Sequence, residues 1–198
     1  AVTNNTYGII KDSAGNSRKV LTEPLTNYNA IVFEQQMKNN SKVYFINTNV
    51  IRDKQFDDAN VTGAGFSLSN KKNTFAVEAE GAVSQQFSKT AGEPTRNFNN
   101  TLGYMYGVAI KKLGGTFDYG ISRGVFDNNY YTSDLGYQVI NSKTVYEVYL
   151  NHNLHQPWKK FRNSYNNIYY TYATHFISEK PVMHEVNLNL FATFLDYN

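Results

Sequence analysis

Gly120-Ile121-Ser122-Arg123-Gly124 is where this chain comes nearest to a catalytic motif. It matches G-x-S-x-G, in which a serine held on a sharp strand-to-helix turn attacks a carbonyl carbon. Ser122 would be the nucleophile. That elbow requires a helix after the turn, whereas these five residues sit inside a run of alternating large and small side chains with no helical period beyond it. A serine hydrolase using Ser122 is therefore kept as the remote alternative, and no catalytic residue is expected. Of His152, His155, His175 and His184, only the first two are close enough in sequence to share a metal, and no acidic partner stands beside them. Asp57-Asp58 and Asp127-Asn128-Asn129 offer oxygen ligands without the spacing of a calcium loop, so Asx turns account for both. Neither a metal nor a cofactor is expected. Trp158 lies in His155-Gln156-Pro157-Trp158-Lys159-Lys160-Phe161, a loop that could stack a sugar or, as a lone Trp between cations suggests, anchor at a membrane interface.

The elements that must position these residues are strands. From Phe98 to Val125 the chain holds its longest alternation. Phe98, Leu102, Tyr104, Tyr106, Val108 and Ile110 share one face, with Thr101, Gly103, Met105, Gly107 and Ala109 between them. After the turn Lys111-Lys112-Leu113-Gly114-Gly115 the pattern resumes, with Phe117, Tyr119, Ile121 and Val125 on one face and Asp118, Gly120, Ser122 and Gly124 on the other. The large face is aromatic and aliphatic, while the opposite face is too small and polar to build a tight core. A soluble sandwich needs the reverse. A transmembrane barrel needs this arrangement, with lipid-facing Leu102, Tyr104, Tyr106, Val108, Ile110, Phe117, Tyr119 and Ile121, and interior-facing Asp118 and Ser122. A second hairpin repeats it: Thr62, Ala64, Phe66 and Leu68 share a class with Phe75, Val77, Ala79 and Val83, which turns Glu78 and Glu80 inward.

Composition agrees. The chain has 198 residues, 41% of them hydrophobic, with 16 Tyr, 13 Phe and no Cys. Mean hydropathy is −0.52, and no window has the apolar length of a membrane helix. A barrel tolerates that, because half of each strand faces water, and its aromatic girdles use Tyr and Phe. The net charge of +3 is spread along the chain rather than clustered, so nucleic acid is not an expected partner. The absence of Cys removes disulfide frameworks and thiolate metal sites.

Strand-like runs fall at 3 to 10, 25 to 38, 42 to 51, 59 to 69, 74 to 87, 98 to 110, 116 to 125, 134 to 140, 144 to 152, 164 to 176 and 182 to 195. Short connections (39–41, 70–73, 111–115, 141–143, 178–181) alternate with long ones (11–24, 52–58, 88–97, 126–133, 153–163). In a meander this alternation puts tight turns on one rim and long loops on the other, the turns periplasmic and the loops extracellular. Every short turn has a Lys in or beside it, which solubilises it.

Leu21-Thr22-Glu23-Pro24-Leu25-Thr26-Asn27-Tyr28, Asn47-Thr48-Asn49-Val50-Ile51-Arg52, Ala59-Asn60-Val61-Thr62 and Asp134-Leu135-Gly136-Tyr137 resemble an outer-membrane β-barrel family of Bacteroidota. Its members join a periplasmic carbohydrate-binding-like domain of the family-nine type, absent from this sequence, to a barrel domain of unknown function. The resemblance runs from about Leu21 to the end and has Ser133 where the family has Asn. It implies an outer-membrane address and a link to glycan handling, and brings no catalytic residues.

The expectation is thus an all-β antiparallel meander of about eleven strands, residues 1–198 forming one segment of an outer-membrane β-barrel that acts as channel, receptor or scaffold. Its expected partners are membrane lipid and lipopolysaccharide, the remaining strands of the barrel or other outer-membrane subunits, and glycans. An odd strand number leaves an open edge, and the chain opens at Ala1-Val2-Thr3-Asn4 without a leader, so it is expected to lie within something longer. The alternative is a secreted soluble β-sandwich binding carbohydrate through exposed Tyr and Trp.

Overall fold

Strict alternation, short Asn- and Gly-rich turns and β-branched or aromatic runs leave this chain little choice but an antiparallel ladder. The computed structural model describes residues 1–53, 56–88, 101–133 and 141–195. Its strands are β1 (Val2–Thr3), β2 (Thr6–Lys11), β3 (Ser17–Glu23), β4 (Thr26–Gln36), β5 (Lys42–Arg52), β6 (Asp58–Ser69), β7 (Phe75–Phe87), β8 (Leu102–Lys112), β9 (Phe117–Phe126), β10 (Lys143–Leu154), β11 (Phe161–His175) and β12 (Pro181–Phe194). Ten of them form one sheet in the order β1-β4-β5-β6-β7-β8-β9-β10-β11-β12, and β2 and β3 form a separate hairpin. The all-β meander expected from the sequence is present.

Register follows the alternation. Ile110 opposes Ile121 and Val77, Val108 opposes Ala79, and Val148 opposes Ile121 and Tyr170, so the large residues of successive strands share one outward face. Glu78, Glu80, Asp118 and Ser122 lie on the other. The tight turns close where their residues permit it. Asn39 and Asn40 both take positive φ, at 59° and 53°, as a two-residue hairpin turn demands.

Three expectations are corrected. Residues 11–24 are not a loop. Asp12 accepts backbone hydrogen bonds from Ala14 and Asn16, Gly15 takes φ of 85°, and the chain returns as β3, an exposed strand without an apolar face to announce it. Asn16 bonding also holds the Asp12 carboxyl below its ordinary value.

The second correction concerns the connection after β9. Phe126 pairs with Lys143, so β9 and β10 are direct neighbours, and no further strand stands between them in the sheet. The strand expected at 134 to 140, with Asp134-Leu135-Gly136-Tyr137, lies outside the described residues, as do Phe98 and most of the 88–97 loop.

The third follows in part from the second. The strict alternation of short and long connections fails between β5 and β6, where 53–57 is no longer than the turns 37–41 and 70–74, and again beyond β9. The turns 37–41, 70–74 and 113–116 share a rim with the longer connection 155–160 that holds Trp158, while the tight turn at 176–180 joins the long connections on the opposite rim. Lys143 and Lys180 therefore lie on the loop rim, apart from Lys42, Lys71, Lys72, Lys111 and Lys112.

The buried core is small. Val50, Ala59, Ala76, Val125, Tyr130 and Ala173 are the buried hydrophobic residues among those described. The outward face is otherwise open, with Val108 51% exposed, Ile110 58% and Ile121 56%.

Candidate functional site

Inward positions from β5 to β11 line one open trough of about 810 Å³, so the sheet curls toward that face. Its small residues keep it open, and its large ones lie flat. A Cβ on Gly65 would come within 2.6 Å of the Tyr44 ring, and one on Gly120 within 2.6 Å of the Tyr149 ring. Each tyrosine stands directly opposite its glycine and folds onto the sheet instead of into the space above it.

Charge in the trough is paired locally. The Lys111 ammonium lies 2.6 Å from a Glu78 carboxylate oxygen, whose other oxygen accepts from Ser67 at 3.4 Å. Tyr44 donates to Glu80 at 2.7 Å, and Ser122 donates to Glu147 at 3.1 Å. Nearer the turn rim, Asp118 accepts from Asn151 at 2.5 Å and from Asn153 at 3.0 Å. The expected interior residues Glu78, Glu80, Asp118 and Ser122 thus share the inward face. Lys111, Glu147, Tyr44 and Tyr149 complete it; their alternation was the only sequence signal for them. Such a surface offers water and small polar solutes paired charges and hydroxyls.

Residues 127–133 cross the loop-rim end of this face as a strap. The Ser84 side chain, 1% exposed, accepts from the Tyr131 amide at 3.0 Å and donates to the Asn129 carbonyl at 3.5 Å. Asp127 ties the strap's root, accepting from the amides of Tyr104 and Asn129, both at 3.1 Å. Tyr130 is buried beneath it. That burial, with the nearby Glu80 charge second, pushes the Tyr130 phenol above its ordinary value. Contact is closest at Gly103, where a Cβ would lie 2.2 Å from the Asn129 carbonyl carbon. Nothing periodic in the sequence signals the strap; a buried Tyr in an Asx-rich loop and a glycine opposite it are its only traces.

The residues first weighed for chemistry have other surroundings. Gly120 to Gly124 run without a turn through the middle of β9, and Ser122 meets a carboxylate. His152 lies tilted against Phe117, ring centroids 4.8 Å apart, and His155 meets Tyr165 edge-on at 5.8 Å, so the two do not converge. Among the described residues, no three His, Asp or Glu gather in a way that could hold a metal. Asp58 accepts from the Arg52 amide at 2.7 Å, and the Arg52 guanidinium donates to the Asp57 carbonyl, closing the end of β5 onto β6. Trp158 is 56% exposed on the turn rim, with the Lys159 ammonium 4.3 Å from its ring centroid.

The sequence profile of a family described as Domain of unknown function (DUF5916) matches residues 1–198. No curated protein and no solved structure matches the chain.

Proposed function

The chain belongs to the DUF5916 family, and we propose that it forms part of the wall of a transmembrane β-barrel in a bacterial outer membrane, acting as a channel, receptor or scaffold component. The observation that carries the reading is where apolar surface goes. A soluble monomer of this mass exposes about 9,500 Å², whereas this chain of 22.6 kDa exposes 13,647 Å². On the outward face Ile31, Phe33, Phe45, Leu68, Val77, Val108, Ile110, Ile121, Val148 and Ile168 stand open. In water so large an apolar face aggregates. In hydrocarbon it is the solvated side, and the polar trough becomes the water-facing one.

Unpaired backbone supports the same reading. Among the described residues, the outer edge of β12 has no strand partner, and β1 covers β4 only around Thr26 and Asn27. Each unsatisfied group in hydrocarbon costs several kcal/mol, so further strands, from the same protein or a partner subunit, complete the wall. The full-length protein should sediment with outer membranes, resist carbonate washing and require detergent. Recovery as a soluble monomer from the periplasm would exclude the reading.

A further inference from the structure

Arg123 is out of place on its face. Among the described residues of β4 to β12 it is the one ionised side chain at an outward position away from strand ends; Asp58 and Lys112 also point outward but are terminal in their strands, and Arg162 is second in β11, within its register shift. No carboxylate shares the outward positions of β7 to β12, so nothing there neutralises it. Its neighbours are rings. The guanidinium carbon lies 5.8 Å from the Tyr106 ring centroid and 5.7 Å from that of Tyr146, and Tyr106 accepts one long hydrogen bond at 3.4 Å. The row continues across the sheet, with Tyr146 stacked on Tyr172 at 6.0 Å and Tyr172 against His184 at 4.8 Å.

A belt of amphipathic rings marks the level of a membrane interface, and a cation there is tolerated where one at the midplane is not. Arg123 stands three residues from the end of β9, about 10 Å along the strand, which suits that level. Two aromatic faces hold its stem and plane in place, and a guanidinium with several donors uncommitted presents a planar fork that matches a phosphate. We infer that Arg123, clamped by Tyr106 and Tyr146, binds the phosphate of an anionic lipid headgroup on the outer surface of the barrel; the inference rests on the transmembrane reading.

Native mass spectrometry of the full-length protein in mild detergent, supplied with phosphatidylglycerol, phosphatidylcholine or inorganic phosphate, tests it. The wild type should retain phosphatidylglycerol over phosphatidylcholine, and Arg123→Gln should reduce that retention by about fivefold or more. Arg123→Lys should keep part of it, having the charge without the fork. Arg123→Leu, an ordinary residue for this face, replaces the Gln variant if that one does not fold. Equal retention of the two lipids, wild-type retention in the folded variant, or displacement of the lipid by inorganic phosphate would overturn the assignment. A protein that needs no detergent fails the transmembrane reading instead, whereas a detergent-requiring protein with unchanged adducts fails only the lipid site.

Discussion

Replacing Gly103 by Ala should undock the strap at 127–133. The added Cβ would lie 2.2 Å from the carbonyl carbon and oxygen of Asn129 and 2.3 Å from the Tyr130 nitrogen. Ordinary carbon contacts are about 3.5 to 4.0 Å, so either β8 or the strap must move by more than about 1 Å. β8 is laddered to β7 from Leu102 to Lys112 and to β9 from Met105 to Lys112, so it yields less readily than the strap. The strap is held by less. Two hydrogen bonds to Ser84 contribute about 1 kcal/mol each, and burying the Tyr130 ring contributes about 4 kcal/mol. Against this, ordering each strap residue costs about 1 kcal/mol or more. A docked state so nearly balanced is lost to an overpacking penalty of about 1 to 3 kcal/mol. Hydrogen exchange at the Tyr131 amide, which donates to Ser84, and chymotryptic cleavage after Tyr130 report undocking. Gly107→Ala is the control, since its nearest neighbour would be the Glu80 side chain at 3.5 Å, an ordinary contact. Protection in Gly103→Ala equal to that of wild type and of Gly107→Ala would refute the reasoning.

The remaining predictions concern the wall, its interior and its rims. Ile121→Arg, at the centre of β9, should cost about 2 to 4 kcal/mol in membrane refolding, whereas Ser122→Arg, opposite Glu147, should cost less. Tyr44→Phe should lower the urea midpoint by the equivalent of about 1 to 2 kcal/mol, because Glu80 loses its donor. Because the Tyr130 phenol is raised in the folded state, the strap is fully stable below the ordinary phenol range of about pH 10 and weakens as pH climbs from there toward the folded value. Protection at Tyr131, taken relative to the intrinsic base-catalysed exchange rate at each pH, should fall over that window in wild type but not in Tyr130→Phe. On intact cells, a membrane-impermeant thiol reagent should reach a Cys placed at Ser178 on the loop rim and not one at Asn73 on the turn rim.

The alternation of residues 102 to 110 and 117 to 125 made the two faces legible, and Glu78 and Glu80 fixed their sense, since two carboxylates in one strand do not face lipid. β3 was hidden because Ser17 to Glu23 are mostly exposed, and a strand without a buried face has no period to read. The direct pairing of β9 with β10 was hidden for a different reason: an alternating run between two strands does not say whether it joins the sheet. The strap is the plainest miss. Its docking depends on a gap at Gly103 and an acceptor at Ser84, both distant in sequence, and neither side shows the pattern alone. Arg123 was visible as the break in an apolar run, but its two ring partners on neighbouring strands emerge only with the register.

The transmembrane reading stands or falls on what surrounds β8. Nitroxides placed singly from Leu102 to Ile110 in the full-length protein, reconstituted in bilayers, report collision rates with oxygen, which concentrates in lipid, and with a polar nickel complex, which does not. A lipid-facing wall gives oxygen maxima at 102, 104, 106, 108 and 110 with nickel access at 105, 107 and 109, position 103 lying under the strap. Nickel access at the even positions, or no alternation at all, would contradict it.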